Sequence, residues 1–215
     1  MNRLHSELHR LYPPPAPDGV RGLLLELARP ADWTALGAVW RGVQAELQLP
    51  APGIAVSGTD GLQLWFSLQQ PVTPARATDF LARLQARYLP GIAASRLRLL
   101  AGAALPALPA QDTATGNWSA FVAPDLAPVF ADTPWLDIQP GADGQADLLA
   151  RLACIKPSAF DAAMQALQPA PTPVAAAPGE TADLDPRGFL QRVLNDESAP
   201  LALRIEAAKA LLSPP

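Results

Sequence analysis

The stretch Gly53-Ile-Ala-Val-Ser-Gly-Thr-Asp-Gly-Leu-Gln-Leu-Trp-Phe66 decides the fold. Gly53 to Val56 reads as a short apolar strand, and Ser57-Gly58-Thr59-Asp60-Gly61 has the composition of a tight turn. Leu62, Leu64, Phe66 and Leu68 then alternate with Gln63, Trp65, Ser67 and Gln69. A period of two after a glycine-rich turn marks the returning arm of a β-hairpin.

On the N-terminal side, Val20 to Leu27 carries Leu23, Leu24 and Leu25 ahead of Glu26, and Pro30 follows closely. That is a buried strand. Asp32 is placed to cap a helix over 33–48, where Trp33, Leu36, Val39, Trp40, Val43 and Leu47 recur at three- and four-residue spacing. On the C-terminal side Pro74 opens a helix over 75–88. Its apolar face is Phe80, Leu81, Leu84 and Tyr88, and Arg76, Arg83 and Arg87 fall on one line. Arg96-Leu97-Arg98-Leu99 reads as a fourth strand with outward arginines. From Val20 to Leu100 the order is β-α-β-β-α-β. This is the ferredoxin/RRM-like α+β arrangement, an antiparallel sheet with both helices on one face.

The chain has 215 residues, a net charge of −4 and one cysteine, Cys154. A disulfide scaffold or zinc ribbon is therefore excluded. No run approaches the roughly 18 to 20 apolar residues of a membrane span, and Met1 to Tyr12 lacks the apolar core of a signal peptide. A soluble cytoplasmic protein is expected. Of 16 basic residues 14 are arginine, the usage of a GC-rich genome. The acidic balance opposes broad nonspecific nucleic-acid binding and leaves room for a local basic face.

Residues 1–19 form an N-terminal segment whose Pro13-Pro-Pro-Ala-Pro17 is a stiff extended spacer from the main body. Residues 20–167 form the α+β domain. Past residue 100 it becomes a loop-rich second layer, with a strand within Asn117–Val122, a helical turn at Asp125–Phe130 and helices over Gln145–Ile155 and Ser158–Leu167. Ser158 is placed as the N-cap of the last. Six aspartates and no basic residue occupy 112–147. Residues 168–184 read as a Pro/Ala-rich linker, and 185–215 as a helical hairpin tail.

The hairpin resembles the second motif of the archaeo-eukaryotic primase superfamily, which includes primase-polymerases. There a strand ends in a Ser-Gly turn, and the returning strand carries a histidine two residues after a glycine, followed by apolar and aromatic residues. Ser57, Gly58, Gly61, Leu64, Trp65 and Phe66 fit, and Gln63 stands in the histidine's place. The family's palm is also a β-α-β-β-α-β unit. Its first motif, a pair of metal-binding acids one residue apart, aligns on Leu24–Ala28 and keeps only Glu26, with Ala28 at the second position. A third acid belongs on the last strand, and Ser95–Leu100 has none.

Two-metal phosphoryl transfer needs clustered carboxylates, and one glutamate does not suffice. The resemblance therefore implies a degenerate, non-catalytic site with no metal cofactor, Glu26 being vestigial. Ser57, Gly58, Gly61, Gln63, Arg76, Arg83, Arg87 and Arg98 are its candidate nucleic-acid or nucleotide contacts, and the implied partner is single-stranded or primer-template DNA. The tail, Asp185-Pro-Arg-Gly-Phe-Leu190 to Leu211, resembles a short helical tail of phage and mobile-element proteins and suits docking on another protein.

Each feature has a plainer alternative. The turn is good hairpin chemistry in any β protein, and Glu26 also fits an edge-of-core glutamate paired with an arginine. The arginine line also fits a solvated helix face or a partner for the 112–147 aspartates. Trp65 either stacks on a base or lies under Trp118 or Trp135. His5 and His9 lack a third ligand, and Cys154 reads as a core thiol on a helix face. The rival function is a protein-interaction module without nucleic-acid binding. A third, an active nucleotidyltransferase, needs Asp60 or Asp137 to join Glu26 around a divalent metal.

Overall fold

The computed structural model describes residues 2–168, 190, 193–195 and 201–212. Two compact units divide the chain, Met1–Gln168 and Pro169–Pro215.

The first unit is an α+β structure on one antiparallel sheet. After helix α1 (Arg3–Leu11) come β1 (Val20–Ala28), α2 (Trp33–Ala45), β2 (Gly53–Val56), β3 (Gly61–Val72), α3 (Pro74–Tyr88) and β4 (Leu97–Ala101). A three-residue β5 (Ala120–Val122), α4 (Ala142–Ala150) and α5 (Pro157–Ala166) complete it. The five strands lie in the order β4-β1-β3-β2-β5. Local signals start the two helices on the sheet: the Asp32 carboxylate accepts from Ala35 N at 3.0 Å, and the Thr73 hydroxyl accepts from Arg76 N with Pro74 in the first turn.

Because side chains alternate across a strand, the sheet splits its residues between two cores. Leu23, Leu25 and Leu27 of β1, Ile54 and Val56 of β2, and Leu62, Leu64, Phe66 and Leu68 of β3 face α2, α3 and α5. Leu24, Ala55, Trp65 and Phe121 face the other way, against Leu11 of α1, Leu149 of α4 and Leu108.

The N-terminal segment is therefore not held off by its prolines. Leu4, Leu8 and Leu11 recur on one face of α1, and burying that stripe brings the helix onto the second face of the sheet. Arg10 of α1 donates to Leu149 O at 2.9 Å and Leu152 O at 3.1 Å, closing the carbonyl end of α4.

That helix ends at Ala150, short of the expected Ile155, because β3 outruns β2 and leaves backbone groups to satisfy. Ile155 supplies them: its N–H donates to Ser67 O at 2.7 Å, and Gln69 N donates to its carbonyl at 2.9 Å. Cys154 thus lies on an extended segment rather than a helix, its sulfur accepting from the Ser67 hydroxyl at 3.0 Å. Ser158 falls inside α5, which Lys156 precedes as the capping position with Pro157 in the first turn. Arg96 belongs to a 3-10 turn ahead of β4.

The three-residue β5 is sealed on its outer edge by a side chain. Gln145 accepts from Phe121 N at 2.8 Å and donates to Phe121 O at 2.9 Å, standing in for a sixth strand. In the second unit α6 (Leu201–Leu212) is a helix, and Arg204 donates to Leu194 O at 3.0 Å. Leu203 and Ile205 of this helix are exposed. Apart from Gln168, the linker expected from 168–184 lies outside the described residues, as does most of the tail's first helix. Among the described residues no helix is long and apolar enough to cross a membrane.

Candidate functional site

The register of the sheet places Glu26 of β1 opposite Gln63 of β3 on one side and Arg98 of β4 on the other. All three point to the face that carries Trp65. Glu26 and Gln63 are almost fully buried, so every polar atom there needs a partner. Gln63 Nε2 donates to Glu26 Oε2 at 2.8 Å, and Trp65 Nε1 donates to Gln63 Oε1 at 2.9 Å. Arg98 Nη1 lies 3.3 Å from Glu26 Oε1 and 3.5 Å from Oε2. Indole, amide, carboxylate and guanidinium thus form one chain, with the charge of Glu26 balanced by Arg98.

Gly61 makes room for it. A Cβ there would stand 3.0 Å from Glu26 Cγ and 3.1 Å from Oε1. Trp65 is covered by the Tyr12 ring at 5.1 Å and the Phe121 ring at 5.7 Å, both edge-on. These two rings, not Trp118 or Trp135, cover it, and at 3% exposure Trp65 offers no open face to a stacking base. Burial, with Cys154 close by, raises the Tyr12 phenol well above its ordinary pKa, and Arg10 only partly offsets this.

The turn between β2 and β3 uses its hydroxyl on itself. Ser57 Oγ accepts from Gly61 N at 2.9 Å and Thr59 N at 3.2 Å, and lies 3.1 Å from Thr59 Oγ1. Gly58 has φ +85° and donates its N–H to Pro134 O at 3.0 Å. Its missing Cβ leaves space for the Trp118–Ser119 backbone, which would stand 2.9 Å away.

The candidate arginines divide between the two faces. Arg98 joins Glu26 and Gln63. Arg76, Arg83 and Arg87 sit on α3, across the sheet, each on a carboxylate: Asp161, Asp79 and Glu46 respectively. None of these three acids lies in the 112–147 segment. Arg83 also donates to Met164 O at 3.1 Å, tying α3 to α5. The Arg87 guanidinium holds the Glu46 carboxyl below its ordinary range.

A divalent cation does not suit this cluster. Glu26 is a single carboxylate already paired with a guanidinium, whereas a divalent cation takes several oxygen ligands. Among the described residues no three His, Cys, Asp or Glu side chains converge.

No family model matches the chain, and no curated protein does. Among solved structures it is similar to the AEP domain of the cyanophage S-2L primase-polymerase (PrimPol), at 17% identity and a TM-score of 0.30. The match spans 61% of this chain and 61% of that one.

One residue near the cluster carries no signal in the sequence beyond a strand end. Arg29 follows β1 directly and donates to Ser95 O at 2.8 Å, while Arg96 donates to Ala28 O at 3.3 Å and Pro30 O at 2.7 Å. The Arg-Pro step three residues after Glu26 is the one local feature that could have drawn notice to it.

Proposed function

We propose that this chain is a non-catalytic relative of the primase-polymerases that binds single-stranded or primer-template nucleic acid, or a nucleotide, in the cytoplasm. What supports the reading is one relationship. Glu26 and Gln63, separately matched to the family's acid and histidine positions, are direct cross-strand partners joined at 2.8 Å. Two motif positions 37 residues apart in the chain thus meet on one sheet face. The strand order β4-β1-β3-β2, with β5 added outside, supports a ferredoxin-like core. Arg98 on the last strand, where the family carries an acid, supports loss of catalysis: it gives Glu26 a fixed cation in place of an exchangeable one.

The test is fluorescence anisotropy of labelled single-stranded and primer-template DNA at about 50 and about 200 mM salt. Micromolar binding that weakens with salt supports the reading. No binding at the lower salt overturns it and leaves the rival, a protein-interaction module.

A further inference from the structure

The arginines of α3 are neutralised by carboxylates, whereas those at the end of β1 are held differently. Arg29 reaches Ser95 O, next to Arg96, and Arg96 reaches Ala28 O and Pro30 O, on either side of Arg29. The two side chains clasp each other's backbone. A carbonyl orients a guanidinium without cancelling its charge, and each of these spends only one or two of its five N–H donors. Asp60 forms a long, exposed ion pair with Arg29, its Oδ2 4.0 Å from Arg29 Nε, and the Arg29 side chain is 63% exposed.

This arrangement has a cost. Arg29 adopts φ +55°, the left-handed region that a non-glycine residue occupies at about 1 kcal/mol or more. The N–H donors left over on each guanidinium can make charge-assisted hydrogen bonds to an anion. The same end of the sheet carries the Ser57–Gly61 turn: Arg29 N donates to Asp60 O, inside that turn.

We propose that Arg29 and Arg96 are the surface on which this chain takes phosphate groups, in the first place the phosphodiester backbone of a single strand. The assignment rests on the function proposed above and moves the contacts from α3 to the end of β1. A nucleoside triphosphate offers the same chemistry, and the experiment separates the two sources.

The full chain is titrated with a labelled oligo-dT strand across a salt series. The comparison is with an Arg29→Gln/Arg96→Gln double variant and with Arg83→Gln. In parallel, the arginine Nε–Hε resonances of the wild-type chain are followed by NMR during addition of oligo-dT, ATP and inorganic tripolyphosphate. The expected result is a loss of about tenfold in affinity for the double variant, with a salt slope shallower by about 0.7 per lost contact. Arg83→Gln keeps the wild-type curve, and oligo-dT shifts the Arg29 and Arg96 resonances. Strong DNA binding that leaves those resonances unmoved overturns this assignment while the proposed function stands, whether or not the double variant folds. Tripolyphosphate or ATP shifting them without DNA binding supports the phosphate surface and assigns it to a nucleotide. No response to any of the three overturns both.

Discussion

Gln63 donates its side-chain amide to Glu26 at 2.8 Å, across the β1–β3 register and inside the sheet's second core. The amide is held from its other end by the Trp65 indole, and the carboxylate is held from its other side by Arg98. A carboxylate this deeply buried persists only because it is paired and hydrogen-bonded. Glu26 is thus part of the hydrogen-bonded structure of the fold.

Removing the guanidinium exposes that dependence. A fully buried pair broken from one side costs about 3–5 kcal/mol. The half-exposed Arg98 side chain reduces the expected loss for Arg98→Ala to about 1–2 kcal/mol. Adding Glu26→Gln is expected to recover most of it, since the glutamine keeps a partner for Gln63 and leaves no charge behind. Urea unfolding of the two single variants and the double reads the coupling; strictly additive losses would contradict it.

The β2–β3 turn gives a second test. Gly58→Ala puts a Cβ 2.9 Å from Ser119 N in a left-handed backbone, with no flexible side chain able to yield. A loss of about 2 kcal/mol or more is expected. Gly91→Ala, in open space, is expected to cost little. Equal thermal shifts for the two would show that the turn does not pack on the 118–119 segment.

Alkaline pH gives a third. The Tyr12 phenol, raised above its ordinary value by burial, stays protonated in the fold while the unfolded chain ionises near pH 10. Its contribution to stability is therefore complete below about pH 10 and falls as pH rises further. Tyr12→Phe is expected to flatten the decline between about pH 10 and 11, measured by urea midpoints. An unchanged slope would assign the decline to other groups.

The parts legible in the sequence are those that depend on near neighbours. Alternation at Leu62, Leu64, Phe66 and Leu68 marks β3, the proline at 74 and the cap at Asp32 open the helices, and Gly53–Val56 is a strand as expected. Long-range outcomes are not legible there. Leu4, Leu8 and Leu11 make a stripe, yet only the empty second face of the sheet decides that it docks there. Which aromatics cover Trp65 depends on where α1 ends and where β5 joins. Pairing of Glu26 with Arg98 follows from the β1–β4 register, which no local pattern states. Arg29 is silent in the sequence because a charge beside a proline reads as a loop until its partner strand is known.

The most direct measurement uses one sample: labelled primer-template DNA with the full chain, manganese and all four deoxynucleotides at about 50 mM salt. Anisotropy is read first and primer length afterwards. A binding surface whose acid is held by Arg98 predicts a rise in anisotropy with the primer unchanged in length. An extended primer, or no rise in anisotropy, would contradict it.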